Sequence, residues 1–253
     1  MSTRVSIRRS ALLLLVLTQA SCSSATGTDP NDDGPSRITA RPQTVSASLA
    51  PGYYPLNVDP AHDAVLFVPT KAASASMPLI VMLHGAGGTV GAVQQIYDLG
   101  EKYGIAVLAP KSLAATWDLA SGAGFGKDVV NINKALLLTF QKINVDALHI
   151  AIVGFSDGAS YALSLGLPNG DLFTHVIAFS PGFMAAPGRK GKPSFFLAHG
   201  KDDSVLPIQN TQSSIVPYLR GLGYTVRFDQ FEGGHHIDAN EADIAMNWFT
   251  GRS

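Results

Sequence analysis

Three short stretches of the sequence contain the residue types of a nucleophile, an acid and a base. In chain order they are GFSDG (residues 154–158), HGKDDSVLP (199–207) and GGHHI (233–237). A serine hydroxyl is a weak nucleophile unless a histidine accepts its proton, and a carboxylate keeps that histidine correctly oriented. The three stretches therefore predict acyl transfer through a covalent serine intermediate, if the fold brings them together.

Ser156 is the candidate nucleophile. Its Gly-x-Ser-x-Gly pattern follows the apolar run HIAIV and precedes the helix-like run ASYALSLGL. This order predicts a strand, a tight turn with the serine at its apex, and a helix, because the glycines leave room for the turn. An ordinary strand-to-helix turn is the alternative. The start of a helix also stabilises negative charge, which suits Asp157 in its first turn.

A second glycine-rich stretch, HGAGG (84–88), follows the apolar run LIVML. Its backbone N–H groups can bind a substrate oxyanion together with the N–H of the residue after the nucleophile. We expect the N–H groups of Ala86 and Asp157 to form this oxyanion hole, and His84 to have a structural role. A phosphate-binding loop is the competing interpretation, but the GKS or GKT ending of a P-loop and the G-x-G-x-x-G pattern are both missing.

The acid and the base each have two adjacent candidates, Asp202 or Asp203 and His235 or His236. A metal site at the two histidines is a further alternative. Adjacent residues of an extended chain point to opposite sides, however, and spacings such as H-E-x-x-H are missing. We therefore expect no metal, and a base in the loop that follows the last strand.

Alternating strands and helices must position these residues. Apolar runs typical of strands lie at 79–83, 105–109, 149–155, 175–180, 194–200 and 224–231, and helix-like stretches include 127–143 and 242–249. Two earlier runs, YYPLNV and AVLFVP, should pair as edge strands. The pattern predicts an α/β fold, a mostly parallel central sheet with helices on both faces. The candidate residues then share the carboxyl edge of the sheet, where such folds carry their chemistry.

The length allows one large domain or two small ones, and the composition indicates a compact globular domain. The chain has 253 residues, of which 46% are hydrophobic and 15% charged, as in an enzyme-sized domain with a large core. The net charge of −1 argues against a nucleic-acid partner, which requires clustered Lys and Arg. The polar composition of residues 22–50 predicts a flexible tether, leaving residues 51–253 as the catalytic domain.

The N-terminus has the features of an export signal. Arg4, Arg8 and Arg9 precede the apolar run ALLLLVL, which is too short to span a bilayer. Cys22, the single cysteine, follows this run after the four residues TQAS. The segment 1–21 resembles a bacterial lipoprotein signal peptide with Cys22 as the lipidation site; an ordinary secretory signal is the alternative. We expect an exported protein that is lipid-anchored at the cell envelope, or otherwise secreted or periplasmic, with membrane contact only through that lipid.

Residues 78–251 resemble the phospholipase/carboxylesterase family of α/β-hydrolases, which includes acyl-protein thioesterases. The motifs that carry the resemblance are LHGAGG, TWD, GFSDGAS, FSPGF, HGKDDSVLP and GGHHI. The resemblance implies an α/β-hydrolase fold without a large lid domain, no cofactor, and a serine esterase acting on small-molecule carboxylic or thioesters. It assigns the acid to Asp203, with Asp202 as the alternative, and the base to His235, with His236 as the alternative. The family pattern has valine at the position of Leu206.

The connection at residues 181–193 is too short to form a lid, so we expect an open pocket. Its expected apolar neighbours are Trp117, Phe155, Phe183, Met184 and Leu206. An open pocket suits short or medium acyl esters, or an ester displayed on a larger molecule. Two other functions stay open at this point: a secreted hydrolase like polyester depolymerases or feruloyl esterases, and a non-catalytic, lipid-anchored binding module on the same fold.

Overall fold

An eight-stranded sheet forms the centre of the fold in the computed structural model, which describes residues 34–71, 76–88 and 93–251. The order of the strands across the sheet is β1-β2-β4-β3-β5-β6-β7-β8. The strands are β1 (Gly52–Pro55), β2 (Ala64–Val68), β3 (Met77–Leu83), β4 (Ala106–Pro110), β5 (Val145–Phe155), β6 (His175–Phe179), β7 (Ser194–Gly200) and β8 (Val226–Phe231).

The sheet is mostly parallel, as predicted. Antiparallel pairing is confined to the end of the sheet that carries β1 and β2, whereas β3 to β8 pair in parallel. The predicted pairing of β1 with β2 is confirmed. β2 also pairs with β4, however, so only β1 of these two strands lies at an edge.

Six α-helices lie in the part of the chain that the structure describes. They are α1 (Gln94–Tyr103), α2 (Lys127–Phe140), α3 (Asp157–Gly166), α4 (Ile208–Asn210), α5 (Val216–Gly221) and α6 (Ala239–Thr250). A π-helical turn, Thr211–Ile215, joins α4 to α5. The Asp238 side chain accepts hydrogen bonds from two N–H groups of the first turn of α6, so this helix begins three residues before the predicted start. None of these helices is long and apolar enough to cross a membrane.

Both faces of the sheet are buried under helices. In β3, Leu79 and Val81 face the apolar cluster that includes α2, α3 and α5, whereas Ile80 and Met82 face the cluster that includes α1 and α6. Strands that are buried on both sides need apolar residues at every position, which is why the central strands read as uninterrupted apolar runs. The predicted α/β-hydrolase fold is confirmed.

No large lid domain is inserted between β6 and β7. The 14-residue connection, residues 180–193, holds no helix, and its one bridge joins Gly191 to Gly170. The carboxyl edge of the sheet therefore stays open above the ends of β5, β6 and β7.

The first residues that the structure describes pack against the catalytic body, which corrects the prediction of a tether reaching residue 50. Ile38 and Ala40 are fully buried, and the Ile38 N–H donates to the Asn169 side chain over 2.8 Å. Arg37 forms a bidentate ion pair with Asp171. These contacts place the start of the domain before residue 40. Residues 22–33 of the predicted tether, including Cys22, lie outside the described residues, as does the predicted signal peptide.

Candidate active site

Ser156 stands at the turn between β5 and α3 with a φ of +57°. A positive φ is strained for serine, and such strain clusters at functional sites. Two glycines allow the turn to close: a Cβ on Gly154 would lie 2.1 Å from the carbonyl oxygen of Gly158, and one on Gly158 would lie 2.3 Å from that of Leu83. The Ser156 N–H donates to the Phe179 carbonyl over 3.0 Å, which ties the turn to the end of β6.

The ring of His235 lies between Ser156 and Asp203. Its Nε2 atom is 2.8 Å from the Ser156 Oγ, and its Nδ1 atom is 2.7 Å from the Asp203 Oδ2. A carboxylate only accepts hydrogen bonds, so Nδ1 carries the proton and Nε2 is free to accept one from the serine. The ring packs on Phe155, with ring centroids 4.8 Å apart. His235 thus has the geometry of a general base.

Asp203 follows β7 and is buried beneath the histidine. Its side chain is 0% exposed, and its Oδ1 accepts the N–H groups of Val205 at 2.9 Å and Leu206 at 2.8 Å. Burial by itself raises the pKa of the carboxyl, but the hydrogen bonds from His235 and from these two N–H groups outweigh it and hold the pKa below its ordinary value. Asp203 is therefore a carboxylate that can orient an imidazole and stabilise an imidazolium.

The two alternative residues lie outside this constellation. Asp202 is exposed, and its N–H donates to the Gly233 carbonyl over 2.9 Å. His236 is also exposed, and its ring meets the edge of Phe231 at a centroid distance of 5.1 Å. The structure brings together one acid and one base with the serine, Asp203 and His235.

The glycine-rich loop after β3 lies beside the nucleophile, since a Cβ on Gly85 would be 3.2 Å from the Ser156 Cβ. The Gly87 N–H is used in a 2.6 Å bond to a neighbouring loop, whereas the Ala86 N–H has no acceptor among the described residues. The Asp157 N–H is the first of α3, where a helix leaves its donors unpaired. The role of these two N–H groups as oxyanion donors stays a prediction.

Trp117 and His84 brace this loop from inside the protein. The indole Nε1–H of Trp117 donates to the His84 carbonyl over 2.8 Å. The His84 ring accepts the Ser112 N–H at Nε2, so its Nδ1 carries the proton and donates to the Gly85 carbonyl over 2.7 Å. Burial lowers the pKa of His84 and keeps it neutral, which fits a structural role.

Trp117 is not a pocket residue, which corrects the prediction. Its side chain is fully buried, because the indole is used to hold the glycine-rich loop. The residue before it, Thr116, lies at the site instead and donates its hydroxyl to the Asp157 carboxylate over 2.8 Å. The carboxylates of Asp118 and Asp128 each accept the other's backbone N–H, which fixes the loop that carries Thr116 and Trp117.

The other predicted pocket residues lie at or near the surface of the site. Phe155 is half-buried under His235, and Leu206 is half-buried against Gly182. Phe183 and Met184 line a cavity of about 380 Å³ that opens between the β6–β7 connection and the helical segment α4–α5. A larger cavity, of about 600 Å³, is lined by residues 34–37 and 186–190 together with parts of α5 and of the segment after α3. The three triad residues are among the lining residues of neither cavity.

The sequence did not predict two polar contacts of the site. Ser160, one turn after the nucleophile, accepts the N–H groups of Gly182 and Phe183 and so fixes the pocket wall. His199, at the end of β7, is buried and lies 3.1 Å from Asp203. Both were visible as polar residues inside apolar runs, which is an unusual position for a polar side chain. Across the described residues, no cluster of three or more His, Cys, Asp or Glu side chains could hold a metal ion.

The sequence model of the phospholipase/carboxylesterase family matches residues 119–250. This range contains the nucleophile turn, the acid and the base, and it covers just over half of the chain. No curated protein matches the chain significantly.

Solved structures with the same fold include several esterases. An acetyl xylan esterase from Aspergillus awamori is 18% identical with a TM-score of 0.63, covering 79% of this chain and 98% of its own. The Bacillus cereus carboxylesterase is 18% identical with a TM-score of 0.59, covering 76% and 95%. A phospholipase/carboxylesterase from Dyadobacter fermentans is 22% identical with a TM-score of 0.55, covering 69% and 90%. At these identities the likeness concerns the fold.

Proposed function

The chain belongs to the phospholipase/carboxylesterase family and is a carboxylic ester hydrolase, and on that premise we propose that Ser156, His235 and Asp203 are its catalytic triad. The observation that carries the proposal is the unbroken path from Ser156 Oγ through the His235 ring to Asp203 Oδ2, with links of 2.8 and 2.7 Å. Both distances are normal hydrogen-bond lengths.

In the first half of the reaction, Ser156 Oγ attacks the ester carbonyl carbon while His235 Nε2 takes the hydroxyl proton. The negative charge that develops on the carbonyl oxygen is stabilised by the backbone N–H groups of Ala86 and Asp157. His235, now an imidazolium, is paired with the Asp203 carboxylate. It then returns the proton to the leaving alcohol or thiol, and an acyl-Ser156 ester remains.

In the second half, His235 removes a proton from water, which attacks the acyl-Ser156 carbonyl. The same N–H groups hold the second oxyanion, and the proton passes to Ser156 Oγ as the acid is released. Every proton transfer uses one nitrogen, His235 Nε2, so the fixed orientation of this ring serves both halves of the cycle.

The shape of the site favours esters of short or medium acyl chains. The carboxyl edge has no lid, and the nearby cavity of about 380 Å³ is lined mostly by apolar groups, including Phe183, Met184 and Ile215. Proteins named as carboxylesterases and as an acetyl xylan esterase share the fold, which is compatible with acyl groups as small as acetyl. We assign this cavity to the acyl chain.

A fluorophosphonate probe tests the triad directly, because it reacts only with an activated serine. The folded wild-type protein should be labelled at Ser156, Ser156→Ala should not be labelled, and p-nitrophenyl esters should be hydrolysed by the wild type alone. A folded wild-type protein that is neither labelled nor active would overturn the proposal. A panel of acyl chain lengths, with matched thioesters, then identifies the preferred substrate.

We also propose that the protein is exported and anchored by a lipid on Cys22. The support is the signal-like segment 1–21, which ends at the single cysteine. When the full chain is expressed in a bacterium, the wild type should partition with membranes and Cys22→Ala should be released. A wild-type protein that is soluble and begins at another residue would favour an ordinary secretory signal.

A further inference from the structure

The triad carboxylate is shared by two histidines. Asp203 Oδ2 lies 2.7 Å from the Nδ1 atom of His235 and 3.1 Å from the Nε2 atom of His199. The His199 side chain is 0% exposed and follows β7 directly before the loop that carries the acid. Whether this buried histidine is neutral or charged affects the carboxylate beside it.

The partners of His199 determine its tautomer. Its Nε2 atom lies 2.8 Å from the Leu206 carbonyl oxygen, which can only accept, so Nε2 carries a proton. That N–H is shared between two acceptors, the Leu206 carbonyl oxygen and Asp203 Oδ2. The Nδ1 atom lies 3.0 Å from the Thr211 hydroxyl, and burial lowers the pKa of His199. The ring is therefore neutral, and the Thr211 hydroxyl, which also lies 3.2 Å from the Pro181 carbonyl oxygen, shares its proton between that oxygen and Nδ1.

Thr211 fixes the other side of the ring. It is fully buried and is the first residue of the π-helical turn Thr211–Ile215. Such turns are rare and are found frequently at functional sites. Here the turn interrupts the α-helical segment at the residue whose hydroxyl contacts His199. The ring is thus held at both nitrogens.

We propose that His199 is a positioning residue of the esterase, one that holds the Asp203 carboxylate in the plane required by His235. This role rests on the proposed triad. Oδ1 of Asp203 is fixed by two backbone N–H groups, and His199 supplies the remaining donor, on the oxygen that His235 uses. The carboxylate accepts four hydrogen bonds in all, which leaves it little freedom to rotate.

The neutral state of His199 has an electrostatic consequence. A neutral N–H donor orients Asp203 without cancelling its charge, so that the carboxylate still stabilises the His235 imidazolium during the reaction. A permanent cation at the same place, such as lysine, would cancel that charge. The site thus combines a fixed carboxylate with a negative charge that a neutral donor offsets only in part.

Two substitutions that differ by one methylene separate this role from simple packing. The amide of His199→Gln reaches the position of Nε2 and can donate to Asp203, whereas the amide of His199→Asn reaches only the Nδ1 position, next to Thr211. We expect kcat of the Asn variant to fall about 10- to 100-fold, the range that a small misplacement of a catalytic group produces, with KM within about threefold. The Gln variant should recover to within about threefold of wild-type kcat.

The pH profile gives an independent readout. Without the His199 donor, Asp203 Oδ2 keeps more charge to stabilise protonated His235, so the acid limb of kcat should move to higher pH by about half a unit in the Asn variant. The Gln variant should keep the acid limb of the wild-type pH profile. Each rate is expressed per active site, counted by titration with the fluorophosphonate probe, so misfolded molecules do not contribute to the comparison. The matched control is His175→Asn, at a half-buried histidine at the opposite end of β6, and it should keep the wild-type kcat and the wild-type acid limb.

Thr211→Val is a second variant that tests the same role if His199→Asn does not fold. It removes only the hydroxyl that holds the His199 ring and should lower kcat several-fold. Equal kcat and equal acid limbs in the wild type and the Asn variant would overturn the positioning role. So would Asn and Gln variants with the same loss and an unmoved limb, because that pattern indicates packing alone. A wild type that the probe does not label would instead overturn the proposed triad, and the role of His199 with it.

Discussion

The imidazole of His235 lies 2.8 Å from the Oγ of Ser156, although 79 residues separate the two in the chain. The next residue, His236, is exposed and turns its ring to Phe231. One of two adjacent histidines is therefore in reach of the nucleophile, and the other faces away from it.

Replacing these two histidines should have very different effects. His235→Ala removes the base, and loss of a triad histidine lowers kcat by about 10⁶-fold in a comparable serine enzyme. His236→Ala removes an exposed ring and should keep kcat within about tenfold of the wild type, or about 1.4 kcal/mol. Rates with a p-nitrophenyl ester, compared at equal folded protein, check both. The reverse ranking would identify His236 as the base.

The two adjacent aspartates form a second matched pair. Asp203→Asn keeps the shape of the buried acid but loses its charge, and it should lower kcat by about 10⁴-fold, as the equivalent change does in another triad. Asp202→Asn changes an exposed side chain and should alter kcat less than threefold. A large loss in the Asp202 variant alone would show that the acid is misassigned.

Trp117→Phe should affect both stability and rate, because it leaves the His84 carbonyl without its indole donor in a buried place. We expect a loss of about 1–3 kcal/mol in unfolding free energy and a fall in kcat of about tenfold, since the glycine-rich loop loses its support. Urea denaturation and ester hydrolysis measure the two effects. Trp248→Phe, on α6 away from the loop, should leave kcat unchanged. Equal kcat in both variants would argue against a bracing role.

Met184→Trp should shorten the preferred acyl chain. The larger side chain fills part of the cavity of about 380 Å³, so kcat/KM for an octanoyl ester should fall roughly tenfold, while the acetyl ester should change little. The control is Leu137→Trp, at an exposed position on α2. Equal losses for both esters would place the acyl chain elsewhere.

His175 should make the fold less stable in mild acid. Burial first, and then the neighbouring His149, lower the pKa of His175 to about 4, against about 6.5 for histidine in an unfolded chain. Between these values the unfolded chain binds a proton that the folded protein does not, so stability falls as the pH drops from about 6.5 to 4. His175→Gln should remove about 1–2 kcal/mol of this fall, an amount reduced for partial exposure of the ring. The check is the free energy of unfolding of the wild type and the variant, each measured at pH 7 and at pH 4.5. If the His175 ring titrates normally, both proteins should lose the same stability between these pH values.

The sequence predicted the sheet and the residues at its carboxyl edge because these features are local. A strand buried on both faces requires an unbroken apolar run, and the turn at Ser156 requires glycines at fixed spacing. The strand ends then brought Asp203 and His235 to the same edge without any information about contacts. The choice between adjacent residues, such as Asp202 and Asp203, came only from the family resemblance.

The errors concern contacts between distant parts of the chain. Ile38 lies in a polar segment, and nothing near it reveals that its N–H meets Asn169, 131 residues later. Trp117 was expected in the pocket as an apolar neighbour, but its indole N–H donates to the His84 carbonyl instead. In both cases a polar atom with a distant partner decides the position, and local sequence patterns do not report such pairs.

The packing of Ile38 against Asn169 determines where the N-terminal segment joins the folded domain relative to the nucleophile. Ser156 precedes the first turn of α3 and Asn169 follows its last, so the two are separated by the length of the helix, about 15 Å for ten residues. A chain that carried the proposed lipid on Cys22 would thus enter the folded domain at the end of α3 that lies away from the catalytic residues.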